Sequence, residues 1–181
     1  DPSAIIINIA KGIENKTLKI MSEVIFEVNG SISNYVTISG PSHAEEVVSN
    51  MPTAVVAASK NIENSKIVQG LFSTNKFRVY TNEDLIGVEI CGSAKNVIAI
   101  AAGFCDGFGY GDNTKSALIT RGIKEVARLG LKSGAKFETF FGLAGIGDII
   151  VTCGSIHSRN RKLGERIGRG MTLGNAVGKS H

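Results

Sequence analysis

A lysine within an apolar helical segment is the first residue whose position suggests chemistry. Lys95 lies in residues 92–98 (GSAKNVI), where the other helix faces are almost wholly apolar. Partial desolvation would lower the pKa of Lys95 toward neutrality, where an amine can both accept and give a proton. Asn96, about 100° further round the helix, lies near enough to share the same pocket. The alternatives are a lysine that extends to the surface and an asparagine that faces solvent.

A glycine-rich segment supplies the second candidate. Residues 142–148 (GLAGIGD) place three glycines before Asp148. Glycines let a backbone approach a ligand closely, and a carboxylate at the end of such a turn can contact that ligand. The alternative is a loop between a helix and a strand in which Asp148 is only an N-cap.

A serine, an arginine and an asparagine stand together at a predicted helix start. Ser158 can cap the helix, and Arg159 and Asn160 occupy its first turn. Free backbone N–H groups, the positive end of the helix dipole and a bidentate guanidinium suit a phosphate monoester. The alternatives are a solvated helix face and, with Arg166 and Arg169, a nucleic-acid-binding patch. No aromatic residues interleave with these arginines, which weakens the nucleic-acid interpretation.

Three further candidates follow predicted strands. Lys11 comes after the β-branched run 5–9, and Gly40 and Ser42 come after the strand-like run 35–38. Ligands of α/β proteins bind at the carboxyl ends of parallel strands, so these positions are well placed for binding. The alternative is that the glycine only serves a turn.

The elements that position these residues change in kind near residue 83. From Asp84 the pattern is helical, with an amphipathic helix at 114–131 and one strand-like run at 149–152. We therefore predict a small α/β domain over residues 1–83, with at least some parallel pairing, and an all-α domain over residues 84–181. Before residue 83, strand patterns at 5–9, 35–38, 53–57 and 77–80 alternate with helical patterns at 17–28, 43–48 and 62–72.

Composition excludes several classes of protein. The 181 residues are 43% hydrophobic and 20% charged, which excludes a disordered or fibrous chain. The formal charge of +4 suits an anionic small molecule no less than nucleic acid. The longest apolar run, 85–104, contains Glu89, Lys95 and Asn96, so we predict no membrane span.

The cysteines indicate a compartment. Cys91, Cys105 and Cys153 are odd in number and widely spaced, with no Cys–His cluster. We interpret them as reduced thiols of a cytoplasmic protein without a metal site. No basic segment precedes the short apolar run at the start, so we also expect no secretory signal.

Taken together, these residues resemble one family, the NAD(P)-dependent glycerol-3-phosphate dehydrogenases of the bacterial type. The segment 39–47 (SGPSHAEEV) is one of the stretches that carry the resemblance. They occur in the family's order over almost the whole chain, at residues 10–14, 39–47, 52–56, 77–82, 88–89, 95–99, 107–113, 119–122, 142–148, 152–153 and 158–160.

The resemblance implies an amino-terminal Rossmann domain that binds NAD or NADP and a carboxyl-terminal helical domain that completes the substrate site. No GxGxxG fingerprint opens this chain. We therefore expect residues 1–83 to be the α/β remnant of a Rossmann-type domain and residues 84–181 to be an incomplete all-α domain. We expect the isolated chain to be inactive for the same reason.

The resemblance also implies an activity. The family interconverts sn-glycerol 3-phosphate and dihydroxyacetone phosphate, and the product supplies phospholipid synthesis. This activity needs neither nucleic acid nor a metal, and a homodimer is left open.

Individual residues match the family's functional positions. Lys95 matches the proton-transferring lysine. Cofactor contacts are implied at Lys11, Ala44 and Arg159. Substrate contacts are implied at Lys11, Gly40, Ser42, Asn96, Asp148, Thr152, Ser158, Arg159 and Asn160.

Two other functions stay open. A hydroxy-acid dehydrogenase of the same superfamily would share the lysine and asparagine on a buried helix, but its substrate would be a carboxylate rather than a phosphate ester. A non-catalytic basic module would bind nucleic acid through residues 159–169, with a steep dependence on salt.

Overall fold

The computed structural model describes residues 3–178, in which a part built on a sheet precedes a helical part. The first part contains β1 (Ile6–Asn8), α1 (Met21–Asn29), β2 (Tyr35–Ser39), α2 (Ala44–Val48), β3 (Thr53–Ala58), α3 (Ile62–Phe72) and β4 (Phe77–Asn82). The second contains α4 (Leu85–Phe108), α5 (Asp112–Lys132), a 3-10 turn (Phe137–Phe141), a π-helical turn (Leu143–Gly147), α6 (Asp148–Gly154), α7 (Arg159–Gly168) and α8 (Leu173–Gly178). This order confirms the predicted fold class.

The four strands form one mixed sheet in the order β1-β2-β3-β4. β1 is parallel to β2 and β3 is parallel to β4, whereas β2 and β3 are antiparallel. Val36, Val55 and Val79 are fully buried in this sheet, and Val68 of α3 packs against them. Because β1 and β2 are parallel, the segments that follow them leave from the same edge of the sheet.

α4 is the long helix that joins the two parts. The Asp84 side chain accepts a hydrogen bond from the backbone N–H of Gly87 at 2.9 Å and caps the helix, and Gly109, with φ of 87°, ends it. α4 packs against α5, α6, α7 and β2, which explains why apolar residues surround it on most sides. It is the one described helix long and apolar enough to cross a membrane, and 61% of its most apolar 18-residue window is buried inside the fold.

Glycines allow α4 and α7 to cross in backbone contact. A Cβ atom on Gly103 would overlap the carbonyl oxygen of Arg161, and one on Gly107 would overlap that of Glu165. Since these two pairs advance along both helices together, α4 and α7 run in the same direction. α7 packs along the carboxyl-terminal third of α4, with its start near Ile100 and Gly103 and its end near Gly107.

One predicted element is wrong, because residues 149–152 belong to a helix and not to a strand. Ile149 and Cys153, four positions apart, are both buried in the helical core. Thr152 Oγ1 donates a hydrogen bond to the carbonyl oxygen of Asp148 at 2.5 Å, a contact that belongs to a helical turn. A short apolar run is compatible with either element, and here the packing against α4 decided it.

α1 begins at Met21, later than the predicted start at residue 17. The Glu14 carboxylate accepts hydrogen bonds from the backbone N–H of Thr17 at 2.6 Å and from its hydroxyl at 2.7 Å. Ile13 also pairs with Ile20 in an isolated antiparallel bridge. These contacts close residues 13–20 into a tight loop ahead of the helix.

We expect the substitution Gly164→Ala to destabilise the fold. A methyl group at this position of α7 would overlap the carbonyl oxygen of Ile100, so the two helices would have to separate, at a cost of about 1–3 kcal/mol. Denaturant unfolding of the chain measures this free energy.

The matched control is Gly70→Ala in α3, where nothing lies within 4 Å of the added atom. That change should stabilise the chain by about 0.5–1 kcal/mol, since alanine favours a helix interior over glycine. Equal stability of the Gly164→Ala variant and the unsubstituted chain would contradict the close crossing.

Candidate active site

Lys95 lies inside the fold, beside a carboxylate. Its residue exposure is 8%, and its Nζ donates to Asp148 Oδ1 at 2.5 Å, a residue that is itself 1% exposed. Burial lowers the pKa of Lys95 to about 8, although the Asp148 carboxylate opposes this shift and the Lys11 ammonium adds to it. The alternative in which Lys95 extends to the surface is therefore wrong.

Lys11 approaches the other oxygen of the same carboxylate. Its Nζ donates to Asp148 Oδ2 at 2.7 Å and to the carbonyl oxygen of Gly40 at 3.2 Å. A Cβ atom on Gly92, three residues before Lys95, would lie 3.4 Å from Lys11 Cγ. The segments that follow β1 and β2 thus meet α4 and the start of α6 around one aspartate.

The turns before α6 carry Asp148 into this position. Gly145 packs with its Cα against the carbonyl group of Phe140, where a side chain would overlap the backbone. Thr152 Oγ1 lies 2.5 Å from the carbonyl oxygen of Asp148 and 3.4 Å from its Oδ1. No side-chain cap forms at the start of α6, so the N-cap interpretation of Asp148 is wrong.

Gly40 and Ser42 shape the loop after β2. Gly40 has a φ of 136°, and a Cβ atom at this position would lie 3.0 Å from the Cα of Val55. Only glycine therefore fits here without strain. Ser42 Oγ donates to the carbonyl oxygen of Gly40 at 3.1 Å. Ala44, the first residue of α2, is exposed.

Two histidines connect this loop to the segment before α7. The rings of His43 and His157 have centroids 6.0 Å apart, and His157 Nδ1 lies 3.9 Å from Glu45 Oε1. Because His157 precedes Ser158, the start of α7 lies beside the loop of Ser42 and the first turn of α2, which begins at Ala44.

The predicted cap at Ser158 is confirmed. Ser158 is 3% exposed, and its Oγ accepts a hydrogen bond from the backbone N–H of Arg161 at 3.2 Å. Arg159 is exposed and Asn160 is half-buried in the first turn of α7. Arg166, two turns later, donates to the carbonyl oxygen of Ala176 in α8 at 3.1 Å and so faces another helix.

Asn96 is half-buried in the same turn of α4 as Lys95. Within residues 3–178 no group of three His, Cys, Asp or Glu side chains is arranged to hold a metal ion. Cys91, Cys105 and Cys153 are all buried and free. Burial raises the pKa of the Cys91 thiol to about 12 and that of Cys153 to about 11.

Sequence reasoning missed a polar cluster at the far end of α4. Lys115 Nζ lies 2.8 Å from Asp106 Oδ1, and an Arg161 guanidinium nitrogen lies 2.7 Å from Asp106 Oδ2. Burial opposes ionisation of Asp106, but Lys115 and Arg161 together lower its pKa. The cluster joins α4, α5 and α7. Opposite charges on different helices gave no local pattern, so no signal in the sequence identified it.

The central cluster has the properties of an anion-binding and proton-transferring site. With both lysines protonated and Asp148 ionised, its net charge is positive. A buried amine whose pKa is about 8 changes its protonation state near neutral pH. The cluster lies at the edge where the parallel strands β1 and β2 end.

Two models of one protein family match the chain. Residues 84–181 match the model described as the NAD-dependent glycerol-3-phosphate dehydrogenase C-terminus. Residues 1–65 match the N-terminus model of the same description.

Curated relatives agree with this result. A glycerol-3-phosphate dehydrogenase (NAD(P)+) of Clostridium tetani is 58% identical over 174 residues, which cover 96% of this chain and 50% of the relative. A second, from Salinibacter ruber, is 57% identical and covers 95% of this chain and 51% of the relative. The chain spans about half the length of the curated relatives it matches.

Solved structures are similar over the same extent. The crystal structure of glycerol-3-phosphate dehydrogenase from Coxiella burnetii has a TM-score of 0.94 and 43% identity, and covers 99% of this chain and 55% of its own. The Plasmodium falciparum glycerol-3-phosphate dehydrogenase has a TM-score of 0.86 and 26% identity, with 96% and 49% covered. Since the family models match residues 1–65 and 84–181, this chain belongs to the NAD-dependent glycerol-3-phosphate dehydrogenase family.

Proposed function

We propose that this chain is part of an enzyme that interconverts sn-glycerol 3-phosphate and dihydroxyacetone phosphate with NAD or NADP. The observation that carries the proposal is the cluster in which the buried Lys95 and the half-buried Lys11 share the buried Asp148 carboxylate. The cluster combines a titrating amine with a positive charge at the carboxyl ends of two parallel strands. We also propose that the domain boundary lies at residues 83/84, which the change from sheet to helices after Asn82 supports.

Lys95 is the proton-transferring residue of this proposal. In oxidation the neutral amine accepts the proton of the substrate hydroxyl, and in reduction the ammonium polarises the ketone oxygen and protonates the developing alkoxide. Asp148 holds Nζ of Lys95 in place and favours its charged form. Thr152 supports Asp148, and Asn96 adds an amide to the same pocket.

The start of α7 is the proposed phosphate site. Ser158, Arg159 and Asn160 combine backbone donors, the helix dipole and a guanidinium. Lys11, Gly40 and Ser42 line the opposite side of the substrate. The pair of histidines, which brings the loop after β2 beside the start of α7, supports this two-sided arrangement.

The residues present fit the reactive end of a dinucleotide. The ammonium of Lys11, 3.2 Å from the carbonyl oxygen of Gly40, supplies positive charge that offsets the negative charge of a dinucleotide. Lys11, Ala44 and Arg159 would contact the cofactor, which when bound takes or gives the hydride at the substrate carbon.

Further aspects of the proposal concern the cell. We place the enzyme in the cytoplasm, which the three buried free thiols support, and its product in phospholipid synthesis. A homodimer is consistent with this role. All tests below use the full-length protein that contains this chain.

We expect Lys95→Met to lower kcat by about 10²–10⁴, since the variant keeps the volume but cannot transfer a proton. Steady-state reduction of dihydroxyacetone phosphate with NADH or NADPH measures the effect. Lys66→Met, at a lysine on α3 whose side chain is 55% exposed, is the matched control and should leave kcat unchanged. An unchanged kcat for Lys95→Met would return Lys95 to a structural role.

The pH dependence of kcat should follow Lys95. Because oxidation needs the neutral amine and reduction needs the ammonium, oxidation should rise and reduction should fall as the pH passes about 8. The Asp148 carboxylate raises this pKa, so Asp148→Asn should move the midpoint to lower pH. Glu125→Gln, at an exposed carboxylate on α5, should not move it. A midpoint that moves to higher pH in Asp148→Asn would contradict the assignment.

Arg159 and Arg166 should differ sharply if α7 binds the substrate phosphate. Arg159→Ala should lower kcat/KM for dihydroxyacetone phosphate, mainly by raising KM. The loss should correspond to about 2–5 kcal/mol of transition-state stabilisation, the range for a guanidinium–phosphate pair that is desolvated when the substrate binds. Arg166→Ala should change it little, because Arg166 faces Ala176. Steady-state kinetics on both variants measure the difference, with unfolding as a control for stability.

The same two variants, together with an inhibition experiment, separate the two alternative functions. A nucleic-acid-binding face would lose affinity for DNA similarly at both positions, with a change in salt dependence. A hydroxy-acid dehydrogenase would be inhibited by carboxylates more strongly than by phosphate esters. Equal, small kinetic effects from both variants would remove Arg159 from the site.

A further inference from the structure

A second buried carboxylate lies on α4, six residues before Lys95. Glu89 is 6% exposed, and its oxygens accept hydrogen bonds from Tyr35 Oη at 2.6 Å and from Ser22 Oγ at 2.6 Å. The backbone N–H of Ser22 donates to both oxygens, at 3.1 and 3.2 Å. Glu89 therefore connects three elements, α4, β2 and α1, through one functional group.

The donors around Glu89 are a phenol, a hydroxyl and a backbone amide, all of them neutral. Burial raises the pKa of Glu89, whereas the hydrogen bonds from Ser22 and Tyr35 oppose that shift. Tyr35 is fully buried, and both residues that donate to Glu89 belong to the sheet side of the fold. A buried polar group of this kind adds less to stability than apolar packing would, but it demands one geometry.

Glu89 and Lys95 lie on the same ridge of α4. Glu89, Gly92 and Lys95 follow one another at three-residue intervals, along one ridge of the helix. A Cβ on Gly92, the middle position, would lie 3.1 Å from Ser39 Oγ and 3.4 Å from Lys11 Cγ. The ridge thus contacts β2 at Tyr35 and again at Ser39, immediately before Gly40.

We propose that Glu89 is a positioning residue of the candidate active site, because its carboxylate fixes α4 against β2 and α1 and so sets Lys95 relative to Lys11 and Gly40. The inference rests on the proposed function for its kinetic meaning. The placement of Lys95 by Glu89 does not depend on the identity of the substrate.

The variant that tests this is Tyr35→Phe, which keeps the buried ring and removes the hydroxyl that holds Glu89. Loss of this bond should loosen α4 from β2 and lower kcat by about tenfold, with little change in KM for dihydroxyacetone phosphate, because the reacting groups are misaligned. The matched control is Tyr80→Phe, a strand tyrosine that is 49% exposed, which should leave kcat unchanged. Ser22→Ala should act like Tyr35→Phe from the side of α1.

A measurement that does not depend on catalysis separates this inference from the proposed function. Acetic anhydride labelling followed by mass spectrometry gives the reactivity of Lys95, with the exposed Lys66 as an internal reference. In Tyr35→Phe the labelling rate of Lys95 relative to Lys66 should rise by about threefold or more, the equivalent of about half a pKa unit. An unchanged ratio would overturn the positioning role even if the enzyme is active.

A double-mutant comparison tests whether Tyr35 acts on kcat through Lys95. If Tyr35 acts through Lys95, adding Tyr35→Phe to Lys95→Met should lower kcat no further. A full tenfold additional loss would show a general structural effect and overturn the inference. Absence of dihydroxyacetone phosphate reduction by the unsubstituted full-length protein would instead refute the proposed function and leave the labelling result to decide the role of Glu89.

Discussion

The ammonium groups of Lys11 and Lys95 lie on opposite oxygens of the Asp148 carboxylate, 2.7 and 2.5 Å away; Lys95 and Asp148 are buried, and Lys11 is half-buried. Burial of the Lys95 and Asp148 charges costs several kcal/mol for each ion unless the pair is close and well aligned. The three residues come from the segment after β1, the middle of α4 and the start of α6. The fold must bring these segments together to within hydrogen-bond distance, and much of its architecture serves that requirement.

α4 meets the requirement because polar side chains attach it to its neighbours at several points along its length. Asp84 accepts hydrogen bonds from the backbone N–H of Lys136 at 2.8 Å and from Thr139 Oγ1 at 2.6 Å, which ties α4 to the turns that lead into Asp148. Asp106 attaches the far end of α4 to α5 and α7, and Glu89 attaches the near part to β2 and α1. Around these points the glycine crossing brings α7 into backbone contact with α4. The proposed proton-transfer and phosphate groups are thereby held on one rigid frame.

Much of the fold could be predicted from local pattern. The alternation of strands and helices, the change to helices after Asn82 and the cap at Ser158 are properties of neighbouring residues, and the structure has them. The run 149–152 was predicted wrongly because four apolar residues suit a buried strand as well as a buried helix. Its assignment depends on the contacts of Ile149 and Cys153 with the core, which lie far away in sequence.

The sequence by itself determined which residues could carry chemistry: a lysine in an apolar helix, an aspartate after glycines, and a serine and arginine at a helix start. Only the tertiary structure decided that Lys95 and Asp148, 53 residues apart, are paired, and that Lys11 joins them across a separation of 137 residues. Whether a lysine extends to the surface or stays buried depends on what packs over its helix, and that is set by α6 and the loops after β1 and β2. The tertiary structure also decided the charge state that matters, because burial lowers the pKa of Lys95 to about 8 although the paired Asp148 carboxylate opposes this shift.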